Sequence, residues 1–292
     1  MQPGDQAVAP LLRAPTLSTG TRGPEGLAAC RTQCDMPHRH VLIPPCSCSH
    51  FQLGKSRSHA MAIYPTFSRY AHNVLLNGEF IILDERSDCY LILEAPASLE
   101  LESALTEGGE QSESVRALLD MGILELSNQR QAVRRVTVRE HGIGDYEWRF
   151  SRQFHQAVPD TGMCIRALKN LLWAKTLLTT QGFHNAMNSL RTLKATRANT
   201  THLPTECSEQ KRSCESAAAA IAVVALWLPY RVECLEYSMS LSRLLLSLGI
   251  CPMFRIGVQR YDFLSHAWVE VGGQVLGDDP NLPKRMYPIV EI

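Results

Sequence analysis

No stretch of this sequence is apolar for long enough to cross a bilayer. The longest apolar run, Ala217 to Pro229, is closed by a proline and falls well short of the roughly 20 residues a membrane helix needs. The opening MQPGDQAVAPLLRAP has neither the basic start nor the unbroken apolar core of a secretion signal. A cytoplasmic location is therefore expected, with the ten cysteines mostly reduced. An excess of positive charge is missing too. Lys and Arg total 29 against 29 Asp and Glu, which disfavours general nucleic-acid binding driven by counterion release. A Gly-rich phosphate loop of the G-x-x-x-x-G-K-[ST] kind is also absent. What remains is a chain of 292 residues, enough for one large domain or two ordinary ones.

Composition changes sharply near residue 61. Residues 1–60 hold 7 of the 16 prolines, 4 of the 10 cysteines and 4 of the 10 histidines, with no helical or strand periodicity. They read as a disordered or non-native extension, and Met61 as the start of ordered chain. Cys30, Cys34, His38, Cys46, Cys48 and His50 suggest zinc at first sight. The Cys-x-Cys spacing at 46–48 is too tight for the usual pair of ligands, so no metal is expected. Charge is also segregated: residues 70–127 carry 12 acidic and 2 basic side chains, and residues 130–212 carry 14 basic and 6 acidic. Either these are ordinary solvated surfaces, or the acidic block steers a basic peptide towards the protein.

After Met61, His72–Leu76 and Glu79–Leu83 flank Asn77-Gly78, a strong hairpin signal, and Cys89–Leu93 supplies a third strand. Pro96 opens a helix carrying Leu99, Leu101 and Leu105, broken at Gly108-Gly109. Ser112 opens another, with Val115, Leu118 and Leu119, ended by Gly122. Three strands and two helices over residues 61–130 predict a small winged-helix-like domain. Its open sheet edge at Cys89–Leu93 can accept an extended peptide as an added strand; it can equally be a structural cap.

In the middle, Ile165, Leu168, Leu171, Leu172 and Leu178 predict one apolar helix face, with Gly182 ending the helix. Trp173, His184, His155 and His141 read as core or surface residues. Residues 196–212, broken by Pro204, predict a loop or short helix, and Cys214–Leu228 a buried helix rich in Ala and Leu.

The residues that suggest chemistry lie in the last 60. Cys234 begins an amphipathic helix with Leu235, Met239, Leu241, Leu245 and Leu248 on its apolar side and Gly249 as its stop. A cysteine in the first helical turn meets unsatisfied N–H groups and the positive end of the helix dipole, both of which favour thiolate. Strands follow at 253–259 and 265–271, the second placing His266, Trp268 and Glu270 on one face. An Asp beyond the Gly272-Gly273 turn can reach the far side of the imidazole. Cys234, His266 and Asp278 can therefore converge as a Cys-His-Asp triad; a buried thiol and a satisfied core histidine remain the plain alternative.

Five sequence features at this end are shared with one family: Cys234-Leu235 opening a helix, Leu248-Gly249 ending it, Ile256-Gly257-Val258, His266 to Glu270, and Gly277-Asp278. With them the chain resembles the lasso-peptide B proteins, transglutaminase-like leader peptidases that mature ribosomally made lasso peptides. The resemblance covers about residues 64–292. It implies an α+β protein: a PqqD-like leader-recognition domain at 61–130, then a papain-like or transglutaminase-like cysteine peptidase at 131–292. It also implies Cys234 as nucleophile, His266 as general base and acid, and Asp278 as its orienting partner, with no cofactor bound directly. The implied partners are a precursor peptide and an ATP-dependent lactam synthetase that closes the ring, so ATP enters through coupled maturation. The Cys234 N–H is the natural oxyanion donor; Trp227 is a conceivable second, although packing suits it better. The same triad also serves acyl transferases and amidases, and a precursor-binding scaffold without catalysis is the non-enzymatic alternative.

Overall fold

The computed structural model describes residues 27–28, 63–108, 112–137, 158–198, 207–260 and 263–292. Cys30, Cys34, His38, Cys46, Cys48, His50, His141 and His155 lie outside the described residues. The first element is nevertheless in the amino-terminal sixty: strand β1 (Leu27–Ala28).

After β1 come β2 (Tyr64–Phe67), β3 (Ala71–Leu76), β4 (Glu79–Asp84) and β5 (Cys89–Leu93). Asn77 and Gly78, between β3 and β4, have φ of 51° and 87°, the positive values that a tight hairpin turn needs. Helix α1 (Ala95–Glu107) has Pro96 in its first turn, and α2 (Glu113–Asp120) is capped by the Ser112 side chain, which accepts from the Val115 N–H. Strand β6 (Leu124–Ser127) returns to pair with β2, and β7 (Arg135–Val136) pairs in parallel with β3. The resulting sheet has the order β1-β5-β4-β3-β7.

Both faces of this sheet are covered. On one, Leu75, Phe80, Ile82 and Leu93 pack with Leu101 and Leu105 of α1 and Val115 and Leu118 of α2. The alternate residues Val74, Leu76, Ile81, Leu83 and Ile92 join a second core. The boundary expected at residue 130 thus falls between two strands, β6 and β7, and β7 still belongs to the first sheet.

Helix α3 (Thr161–Ala198) supplies much of that second core through Leu177, Leu178, Met187 and Leu190. Gly182 interrupts it with φ 77° and ψ 174°, so the expected end is a break after which a second helical segment continues. Of the apolar face expected on α3, Leu171 and Leu178 are buried, whereas Ile165, Leu168 and Leu172 are exposed. The buried stripe runs instead through Ala167, Leu171, Ala174 and Leu178. This half of the helix is apolar on more than one side, and small alanines let its neighbour approach. That neighbour is α4 (Cys207–Ala225), whose Ala217, Ala218, Ala220 and Ile221 fill the core against Ala167 and Leu171.

Helix α5 (Cys234–Ser247) follows, then β8 (Met253–Gln259), β9 (Leu264–Val271), β10 (Gln274–Val275), the short α6 (Leu282–Arg285) and β11 (Tyr287–Glu291). These strands form an antiparallel sheet of order β10-β9-β8-β11. Ala267 and Val269 of β9 point into the cores that α5 shares, leaving His266, Trp268 and Glu270 on the other side of the strand. Among the described residues, no helix is long and apolar enough to cross a membrane.

Candidate active site

Cys234 is the first residue of α5 and is buried. The chain enters this helix extended at Glu233, with φ −87° and ψ 166°. Two residues into the helix, the Glu236 side chain turns back, and its Oε2 accepts the Glu233 N–H at 3.1 Å. That bond satisfies one of the amide groups left without partners at a helix start. The next turn docks on β9, where the Ser238 hydroxyl donates to the Ala267 carbonyl at 2.9 Å. The helix start and the strand bearing His266 are therefore held together by a buried bond one residue from the histidine.

His266 is buried, and its Nε2 lies 2.7 Å from Asp278 Oδ2. A carboxylate only accepts, so the imidazole donates from Nε2. Gly277, with φ 69°, turns the chain before Asp278, and Asp278 Oδ1 accepts the N–H of Asp279 at 2.8 Å. Asp279 faces elsewhere: its Oδ1 accepts the Asn281 N–H at 2.8 Å, and its Oδ2 lies 3.8 Å from Arg285. The two adjacent aspartates thus divide their work, one on the histidine and one on the turn into α6.

The first turn of α5 feels the same carboxylate. Burial, and then the Asp278 charge, push the Tyr237 phenol well above its ordinary range, and its hydroxyl donates to the Ala218 carbonyl at 3.3 Å. Asp278 therefore acts on the His266 ring and, through space, on the helix that begins at Cys234.

Beside His266, the Trp268 indole N–H donates to Glu270 Oε1 at 2.8 Å, and Arg255 approaches the same oxygen at 3.2 Å. The Trp268 ring lies over Gly257, which pairs with His266 across the strands. A Cβ at Gly257 would sit 2.5 Å from two ring carbons. The glycine of the Ile-Gly-Val run is therefore a steric necessity here.

Several residues gain roles that sequence reasoning missed. Lys175 of α3 donates to Glu236 Oε1 at 2.8 Å and stands 5.1 Å from the Tyr230 ring centroid. His184, read only as core or surface, is 2.9 Å from Glu85. The one available signal was the Glu233-x-x-Glu236 spacing, a variant of a capping pattern. Trp227 is 85% exposed, so the packing role expected for it does not hold. Cys214 is buried, and burial followed by the Glu215 charge pushes its thiol up to about 11. Among the described residues, no group of three or more His, Cys, Asp or Glu is placed to hold a metal ion.

Residues 177–291 match the model of the transglutaminase-like superfamily, so the chain carries a transglutaminase-like α+β domain. The chain is also similar to the microcin J25-processing protein McjB of Escherichia coli, with 46% identity over 63 residues. That match takes in 22% of this chain and 30% of the relative's length. No solved structure matches.

Proposed function

We propose that this protein is a cysteine peptidase that removes the leader from a ribosomally made precursor peptide of the lasso class. The observation that carries this reading is the buried His266–Asp278 pair on the strand against which the helix opened by Cys234 is docked. The similarity to a microcin-processing protein points to a peptide precursor as substrate.

In this mechanism His266 takes the Cys234 proton, and Asp278 holds the ring tautomer and supports the imidazolium. Because Asp278 engages Nε2, proton exchange with the thiol and the leaving amine falls to Nδ1. The thiolate adds to the carbonyl joining leader and core, with the Cys234 N–H supporting the oxyanion. The tetrahedral adduct collapses as His266 protonates the departing core amine, which leaves the leader as a thioester. His266 then deprotonates a water, whose attack releases the leader as a carboxylic acid and restores the thiol.

Residues 61–130 act in this reading as a PqqD-like recognition unit, and the leader adds a strand at the β5 edge. Leu27 and Ala28 pair there with Leu93 and Ile92, so an incoming leader replaces that pairing. The freed core amine passes to a partner synthetase that consumes ATP, in the cytoplasm, and this chain binds no cofactor itself. Incubating the full chain with a precursor, with and without synthetase and ATP, tests the assignment by mass spectrometry. Leader release is expected for the wild type and lost by about 10³-fold or more in Cys234→Ala; undiminished release by that variant overturns it.

A further inference from the structure

A carboxylate that closes a helix on the residue before a first-turn thiol is electrostatically awkward, because it opposes the thiolate that the helix start favours. Glu236 is such a group, with a side chain only 5% exposed. It stays because Oε2 closes the helix start on the Glu233 N–H. Its other oxygen, Oε1, takes the ammonium of Lys175 at 2.8 Å, delivered from α3, 61 residues earlier. The Tyr230 ring covers that ammonium from the loop leading into α5. The three groups sense one another: burial, then the Glu236 charge, push the Tyr230 phenol up, while Lys175 opposes them.

We propose that Lys175 and Glu236 are positioning residues that set the ionisation of Cys234, Glu236 by closing the helix start and Lys175 by cancelling the charge that closure brings. The significance for catalysis rests on Cys234 being the nucleophile; the ionisation itself does not. A unit charge at the start of a helix, in surroundings drier than water, interacts with a thiolate in the first turn by about 1 kcal/mol, and one pKa unit corresponds to about 1.4 kcal/mol. Removing either partner should therefore move the thiol by about a unit, in opposite directions. Other charged or titratable groups around this helix start are Arg231 and Glu233, 3.3 Å apart on the approach loop, Tyr230, Tyr237 of the helix itself, and His266 and Asp278 from the β9 side. All of them stay in place in the variants below.

The experiment is site-resolved alkylation of Cys234 by iodoacetamide across pH, read by mass spectrometry on the full chain. Glu236→Gln keeps an amide oxygen for the Glu233 N–H and leaves Lys175 unopposed. Its alkylation midpoint should fall by about one pH unit. Lys175→Gln leaves Glu236 unopposed, so its midpoint should rise by about one unit, with a roughly tenfold lower rate near neutrality. The double variant should return towards wild type, and Lys175→Arg should match wild type even if Lys175→Gln folds poorly. Midpoints that move in the same direction, or do not move, overturn the proposal. These shifts in the variants, together with a wild type that cleaves no precursor, would sink the peptidase assignment and leave this one standing.

Discussion

Arg191 grips Glu85 with two roughly parallel contacts, Nη1 to Oε1 at 2.7 Å and Nη2 to Oε2 at 2.5 Å. The pair ties the turn after β4 to the far half of α3. His72 from β3 and His184 from α3 approach the same carboxylate at 2.7 and 2.9 Å, and the His184 ring meets Tyr70 edge-on.

This node sets an acid limit on stability. Burial raises the Glu85 carboxyl, but hydrogen bonds from Arg191, His72 and His184 and the Arg191 charge outweigh it and hold the group at about 2, against an ordinary 4.5. A depressed carboxyl contributes stability that is fully present above its unfolded value and is lost as pH falls through its folded one. Glu85→Gln is therefore expected to cost on the order of 3 kcal/mol at pH 7. Urea midpoints of wild type and variant should draw together between pH 4.5 and about 2; a constant gap across that window counts against the assignment.

Asp278→Asn should reduce leader cleavage by about 10²-fold or more, since an amide no longer selects the tautomer that donates from Nε2. Asp279→Asn should keep most activity and lose some thermal stability through the turn into α6. Steady-state kinetics of the two variants decide it, and a larger loss in the 279 variant would reverse the roles.

Gly257→Ala should destabilise by about 1–3 kcal/mol, because the new methyl group displaces the Trp268 ring, whose strand also carries His266. Thermal melts and cleavage rates should fall together. Trp268→Phe in the same chain should recover part of the melting loss by giving up the colliding ring carbons.

The isolated fragment 61–130 should self-associate. Cutting there uncovers Val74, Leu76, Ile81, Leu83 and Ile92, all 1% exposed or less in the whole protein, as a contiguous apolar patch. Light scattering after size exclusion checks this, and leader-binding measurements belong on the full chain.

The legible parts of the fold were those with local causes. Asn77-Gly78 marked a hairpin, Ser112 a helix start and Gly249 a helix end, because turn and cap chemistry acts within a few residues. The elements that carry Cys234, His266 and Asp278 were legible for the same reason. Glu85 with Arg191 was not, because 106 residues separate them and nothing nearby marks either as buried. Lys175 with Glu236 was hidden in the same way. The face of α3 was misread at Ile165, Leu168 and Leu172, since periodicity cannot choose between two apolar sides of one helix. The choice was made by α4, whose alanines pack against the side of α3 that carries Ala167 and Leu171.

The doubly covered sheet also constrains anything laid along its β5 edge. Tyr90 and Ile92 look towards the second core, with the Tyr90 ring against Phe263 at 5.2 Å between centroids. Leu91 and Leu93 look towards α1 and α2. A guest strand would have its odd residues judged by one wall and its even residues by the other. A slip of a single residue would exchange the two audiences, so a strand paired at that edge would be held to its spacing as strictly as to its composition.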